Sequence, residues 1–256
     1  FETPSLNPDE TVALVGKPEF MEEGYEAQLR SLVLLKNEEA LPQAGRKKVY
    51  FPKKHYPAIP GLWGGMSEDH TDYPISLDLL EKYYDIAATP EEADFALVVI
   101  NGPATSVGWS ADDLKKGGNG YLPISLQYEP YTATLAREES LAGGHHTESF
   151  TNRSYKGKTV TTRNHDDLLL VRATKAAMGD KPVVVVLCLD KPAVVAELEP
   201  SADALLVSFG VQNQAVLDIV SGAAEPSGLL PMQLPAHMET VETQQEDVPH
   251  DMQCHR

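Results

Sequence analysis

Residues 181–209, KPVVVVLCLDKPAVVAELEPSADALLVSF, decide the fold. Two mainly apolar runs that read as buried strands, Lys181 to Leu189 and Ala204 to Phe209, frame a Pro-led segment of helical spacing, Pro192 to Leu198. A strand that alternates apolar and polar residues has one wet face. A strand that is apolar throughout is covered on both, which marks a parallel sheet lying between helical layers. The same reading extends outward in both directions. Asn213 to Val220 reads as a helix closed by Gly222, the usual C-terminal punctuation. Upstream, Asp166 to Met178 reads as a helix, Phe95 to Ile100 (FALVVI) as a third buried strand, and Lys47 to Phe51 (KKVYF) as a short strand stopped by Pro52. Ser76 is placed to cap a helix through Tyr84, with Leu77, Leu80 and Tyr84 facing inward. Met21, Tyr25, Leu29, Leu32 and Val33 recur at three-and-four spacing and predict an amphipathic helix from Glu19 to Lys36. Strand and helix in alternation, with apolar strands, predict an α/β fold: a mostly parallel, doubly wound sheet sandwiched between helices.

Charge narrows the partners. Of 256 residues, 38 are acidic and 21 basic, a net charge of −17. A duplex-binding surface needs Lys and Arg clustered on one face to displace counterions, so nucleic acid is not expected as a partner. An anionic membrane surface is disfavoured on the same ground. No apolar run approaches the roughly 18–20 residues of a membrane span. The opening FETPSLNPDE has neither a basic patch nor an apolar stretch, so no signal peptide is expected in it. Cys188 sits within an apolar strand and reads as a small buried hydrophobe, and Cys254 lies in polar sequence. The two form no C-x-x-C motif and give no compartment from redox chemistry.

Between FALVVI and the helix at Asp166 runs a segment of residues 101–165 with little periodicity. It is rich in Tyr, Ser and Thr and carries GGNG at Gly117–Gly120 and Gly143–Gly144. A loop of this length is usually functional or disordered, and this one leaves the carboxyl end of a parallel strand, where open α/β sheets hold their ligands. GGNG neither follows a strand directly nor opens a helix, and it reads as a turn rather than a phosphate cradle. No G-x-S-x-G elbow supplies a serine nucleophile. His145 and His146, even with His70 or His165, lack any metal-binding spacing and read as a solvated pair. The loop's carboxylates are Asp112, Asp113, Glu129, Glu138, Glu139 and Glu148. Asp112–Asp113 look like a helix N-terminus and Glu138–Glu139 like the exposed face of a short helix. Glu148 has no acidic neighbour, lying in HHTESFTNRSY among His, Thr, Phe and Tyr. Residue chemistry nominates this loop without selecting a reaction.

Three stretches resemble the C-terminal half of glycoside hydrolase family 3, the β-glucosidase and β-xylosidase family. They are YEAQLRSLVLLKNEEALP (Tyr25–Pro42), the fold-deciding stretch Lys181–Phe209, and QAVLDIVSGAAEPSGLLPMQLP (Gln214–Pro235), in the family's order. The opening FETPSLNPDETVALVG is similar to the linker leaving that family's first domain. The resemblance implies a linker over residues 1–18, a six-stranded α/β sandwich over 19–235 with a long active-site loop at 101–165, and a C-terminal extension over 236–256. It also implies an N-terminal (β/α)8 barrel as partner, lying outside these residues and supplying an aspartate nucleophile. The implied activity is that of a retaining, exo-acting β-glucosidase with a β-glucoside or oligosaccharide as substrate, no cofactor and no metal. A periplasmic or secreted setting comes with the resemblance, and homo-oligomerisation is left open. In many members the general acid/base glutamate comes just before an Asp-Arg pair. The matching pair here is Asn152–Arg153, which implies Glu148 as general acid/base despite the Asn and the longer spacing. Within this reading Trp109 is a candidate to stack on a sugar ring or else a partly buried loop anchor, and Arg153 a candidate to orient a carboxylate or sugar hydroxyl, with tying down the loop the favoured alternative. The family's Pro-Gly-Gln-Glu-Gly-Gly turn is replaced by Gly210-Val-Gln-Asn. The insertion Tyr121 to Gly144 is similar to a bacterial subgroup with an elaborated loop. Another class stays open beside this one: a non-catalytic α/β module that binds carbohydrate or a subunit.

Overall fold

The computed structural model describes residues 7–59, 65–105, 107–139 and 153–244. In chain order the helices are α1 (Pro8–Leu14), α2 (Pro18–Ser31), α3 (Leu77–Leu80), α4 (Ala111–Lys115), α5 (His165–Met178), α6 (Asn213–Ser221) and α7 (Met238–Thr243). The strands are β1 (Val33–Asn37), β2 (Lys48–Tyr50), β3 (Lys54–Tyr56), β4 (His70–Asp72), β5 (Asp85–Ile86), β6 (Phe95–Asn101), β7 (Tyr131–Thr132), β8 (Thr159–Val160), β9 (Val183–Cys188) and β10 (Ala204–Ser208).

Six of these strands form one sheet in the order β1-β10-β9-β6-β2-β5. All pairs are parallel except β1 with β10, so the α/β class with a mostly parallel six-stranded sheet is as the apolar runs predict. The three central strands show why their sequences are apolar throughout. Phe95, Leu97 and Val99 of β6 enter one core with Val184, Val186 and Leu206. Ala96, Val98 and Ile100 enter the opposite core with Val183, Val185, Leu187, Leu205 and Val207. Side chains alternate faces along a strand, and here both faces are covered. α6 closes the first core with Ala215, Val216, Leu217, Ile219 and Val220. α5 closes the second with Leu168, Val171 and Met178.

Several elements depart from their sequence expectation. The helix expected over Glu19 to Lys36 ends at Ser31, and β1 follows it. Leu32 turns to extended backbone (φ −75, ψ 128), and Val33 pairs with Val207. The run Leu32–Leu35 is apolar on consecutive positions, which suits two covered strand faces better than one helical stripe. Met21, expected inward, is 59% exposed. The Pro192–Leu198 helix is a pair of 3₁₀ turns, Val195–Glu197 and Glu199–Ser201. Helix α3 stops at Leu80, and Ser76 makes no side-chain cap bond although its backbone is extended as a cap requires. Leu80 and Tyr84 are nevertheless buried as expected. Glu138 and Glu139 lie in a bend rather than on a helix.

From β2 the chain runs to β5 on one side, then crosses back to place β6 on the other side of β2. The strand order therefore reverses between β2 and β6, and a crevice opens beyond their carboxyl ends, the usual ligand position of such sheets. The long segment 101–165 starts there. Its described parts fold on a small core of their own, in which Tyr131, Ala133, Ala136 and Val160 pack with Val194 and Met238 of α7. That core lets a stretch with little helical or strand periodicity hold a fixed shape.

Candidate active site

A polar hub closes the base of the loop at the switch point. Lys54 (4% exposed) follows β2, and its Nζ donates to Asp167 Oδ2 at 3.1 Å and to Asn101 Oδ1 at 3.0 Å. Asp167 (1% exposed) sits in the first turn of α5, and its Oδ2 also accepts the backbone N–H of Asn101 and the side-chain amide of Asn164. Asn164 spans both ends of the loop: its Nδ2 donates to the carbonyls of Asn101 and Gly102, and its Oδ1 accepts Ala104 N–H at 2.8 Å. The Tyr128 hydroxyl donates to the Asn101 carbonyl from inside the loop, and burial pushes its pKa well up. A buried charge is tolerated only when its bonding capacity is met, and here Asn101 and Asn164, at the loop's start and end, add to what the two charges give each other. Beside the hub lies a cavity of about 400 Å³, lined by Lys54, His55, Tyr56, His70, Asn101 and Asn164 with Pro57, Ile59 and Ala104 at its apolar side. Tyr56 and His70 stack at 4.9 Å between ring centroids.

The loop's second feature is an aromatic platform. Ser110 caps α4 by accepting Asp113 N–H, so Asp112–Asp113 stand at a helix N-terminus as their sequence suggests. GGNG then turns the chain back: Ser110 N–H donates to the Gly120 carbonyl and Leu122 N–H to that of Gly108. Gly120 has φ +83, and a Cβ there would come within 2.5 Å of the Trp109 ring, so glycine is what lets the indole lie against the turn. Trp109, 45% exposed, meets Tyr121 edge to face at 5.3 Å. Arg153 lies over the same Tyr121 ring at 6.0 Å. Trp109 and Arg153, both singled out in the sequence, are thus brought together through Tyr121, which was not. Lys158 ties the platform down, donating to Asp113 Oδ2 at 2.7 Å, to Asn119 Oδ1 and to the Tyr121 carbonyl.

Four of the loop's carboxylates, Asp112, Asp113, Glu129 and Glu138, are committed to cations. The Lys158 ammonium, helped by Gly120 N–H, holds the Asp113 carboxyl below its ordinary range. Lys115 does the same for Asp112. Arg172 at 2.6 Å and then His165 at 3.0 Å hold Glu129 down against the opposing effect of burial. Glu138 pairs with Lys156 at the surface. Glu148, His145 and His146 lie outside the described residues. Among the described residues, no group of three or more His, Cys, Asp or Glu is placed to hold a metal ion. No described helix is long and apolar enough to cross a membrane.

The profile described as the glycosyl hydrolase family 3 C-terminal domain matches residues 32–254. "Probable beta-glucosidase C" of Aspergillus flavus is 29% identical over 251 residues, which are 98% of this chain and 30% of that protein. "Periplasmic beta-glucosidase/beta-xylosidase" of Dickeya chrysanthemi is 23% identical over 98% of the chain and 29% of its own length. The chain therefore spans about 30% of these relatives. Among solved structures, the β-glucosidase of Listeria innocua in complex with isofagomine aligns with a TM-score of 0.51 at 19% identity, covering 92% of this chain and 30% of that one. β-Glucosidase 3B of Thermotoga neapolitana in complex with glycerol aligns at 0.50 and 18%, covering 86% and 31%. At these identities the two structures speak for the fold, and the sandwich is the part of each that is shared.

Proposed function

This chain belongs to the glycosyl hydrolase family 3 C-terminal domain family, and from that premise we propose that it is the second domain of a retaining, exo-acting β-glucosidase acting on terminal β-D-glucosyl residues. In this reading a (β/α)8 barrel outside the 256 residues carries the aspartate nucleophile, and Glu148 serves as general acid/base. Glu148 protonates the departing glycosidic oxygen while the nucleophile attacks the anomeric carbon. It then takes a proton from the water that releases the glycosyl–enzyme bond, the change of role that retention of configuration requires.

The observation that carries the reading is the platform. Trp109, Tyr121 and Arg153 meet on the loop that leaves β6, at the sheet end where ligands bind. An exposed indole suits the apolar face of a sugar ring, and Arg153 stands five positions after Glu148 in the chain. The carboxylates Asp112, Asp113 and Glu129 are held ionised by neighbouring cations and are poor proton donors near neutral pH. That supports a glutamate elsewhere in the loop as the acid.

Glu148→Gln in the complete enzyme is the test. Loss of the acid/base should lower turnover by about 10²–10⁴-fold. Azide, attacking the glycosyl–enzyme without needing a base, should restore release from substrates with good leaving groups. Near-normal turnover of Glu148→Gln would remove Glu148 from the mechanism.

A further inference from the structure

Two adjacent basic residues of β3 face two adjacent acids of α5. Lys54 meets Asp167 in the interior. At the surface, His55 Nδ1 lies 2.9 Å from Asp166 Oδ2. The other ring nitrogen, Nε2, lies 2.9 Å from Oδ1 of Asp69, on the segment that leads into β4. A neutral imidazole carries one N–H and donates once, whereas an ionised carboxylate only accepts. Both contacts are satisfied together only by the imidazolium.

Further charged groups lie on each of the packed elements. On β3, Lys54 is taken by Asp167 and Asn101. On the β4 side, His70 stacks on Tyr56 and its Nδ1 meets the Glu68 carbonyl, while Asp72 lies opposite Lys54 in the strand register. On α5, His165 pairs with Glu129. Asp69 and Asp166 are the carboxylates in bonding contact with the ring. The Asp69 bond, with a smaller contribution from Asp166 and against the effect of burial, raises the His55 pKa, and the same contact lowers that of Asp69.

The element held this way is separate from the main sheet. β3 and β4 pair only with each other, and the arm they form walls the 400 Å³ cavity beyond the ends of β2 and β6. Lys54 anchors the arm from inside and His55 from the rim. We propose that His55 is a protonation-dependent latch: its imidazolium ties the β3–β4 arm to the first turn of α5 and keeps the cavity wall closed, and loss of its proton loosens the arm. The sign follows from linkage. Because the folded pKa is raised, the contribution of His55 is complete below the unfolded value of about 6.5 and disappears as pH rises through the folded value. Asp69, with a lowered folded pKa, contributes above its unfolded value and stops as pH falls through the folded one. The latch is thus closed in mild acid and opens on the alkaline side. Nothing in it depends on the glycosidase reading.

Hydrogen–deuterium exchange of the peptides covering residues 53–59 and 67–73 in the full-length protein, corrected for intrinsic exchange, tests it. Protection of these amides should fall between pH 6 and pH 9, by about tenfold for each pH unit separating the folded from the unfolded midpoint. His55→Gln, which does not titrate, should show equal protection at both pH values. Protection independent of pH in the natural protein, or the same fall in His55→Gln, would overturn the proposal. Should His55→Gln fail to fold, Asp69→Asn and Asp166→Asn give an independent reading. Each should lower the midpoint of the His55 imidazole resonance in NMR, and an unmoved midpoint in both would equally refute the latch.

Discussion

Lys54 and Asp167 are stable in the interior only as a pair. With 4% and 1% of their side chains exposed, neither has water to fall back on. Removing one partner leaves a buried charge without its counter-ion, which costs more than the pair itself contributes. Lys54→Met should therefore lower unfolding free energy in urea by about 3–5 kcal/mol, whereas Lys54→Met with Asp167→Asn should recover part of that loss. Equal losses for the single and double variants would show that lost packing, not the stranded charge, sets the cost. This hub was not legible in the sequence. Lys54 stands in a basic cluster, KKH, and Asp166–Asp167 in a plausible first helical turn, and each alone reads as solvated. Only the crossover that sets β2 beside β6 brings them together. The platform was half legible. Trp109 and Arg153 stood out as residue types, but Tyr121 needed the GGNG turn to be read as a reversal that sets residues 108–110 against 120–122. Four turn-forming residues between Trp109 and Tyr121 were the available signal.

Among the elements, α6 shows how a local signal and a tertiary contact coincide. Gly222 ends the helix at φ +80, and its N–H donates to the Ile219 carbonyl. A side chain there would meet two penalties: the left-handed backbone, about 1–2 kcal/mol for a residue with a Cβ, and a contact of 2.8 Å with Pro42 Cβ. Gly222→Ala should lower the unfolding free energy measured in urea by at least the backbone amount. Because α6 lies over the central strands, the loss should appear as global unfolding rather than fraying. A variant as stable as the natural protein would mean that the turn relaxes away from Pro42. Gly222 was legible because its requirement is local. The same holds for β6, β9 and β10, whose covered faces leave sequences apolar at all but their last positions. The end of α2 was not legible, since Leu29, Leu32 and Val33 keep helical spacing while Val33–Asn37 is recruited as an edge strand by β10. Pairing across 170 or so residues is a tertiary choice that overrides a local period.

At the scale of the whole molecule, the chain is a sandwich with a long loop leaving β6 and about 30% of the length of its relatives. Chemistry at an anomeric carbon needs a nucleophile and an acid on opposite sides of the bond being broken. The proposed reading places only the acid here. It also offers an occupant for the apolar residues left exposed on the first two helices and at the end of α1: Val12, Val15, Phe20 and Met21. Large side chains of this kind on consecutive helices favour contact with another surface over contact with water. The isolated 256-residue chain should therefore release no nitrophenol from an aryl β-glucoside at any concentration. Mixed with a separately produced barrel domain of the same protein, it should form a one-to-one complex by native mass spectrometry, and hydrolysis should appear in proportion to that complex. Charged substitutions at Val15 and Phe20 should weaken assembly while leaving the sandwich folded by circular dichroism, and activity should fall only as far as assembly does. Sugar release by the chain alone would mean that the nucleophile lies within these residues, and the division of labour between two domains would have to be abandoned.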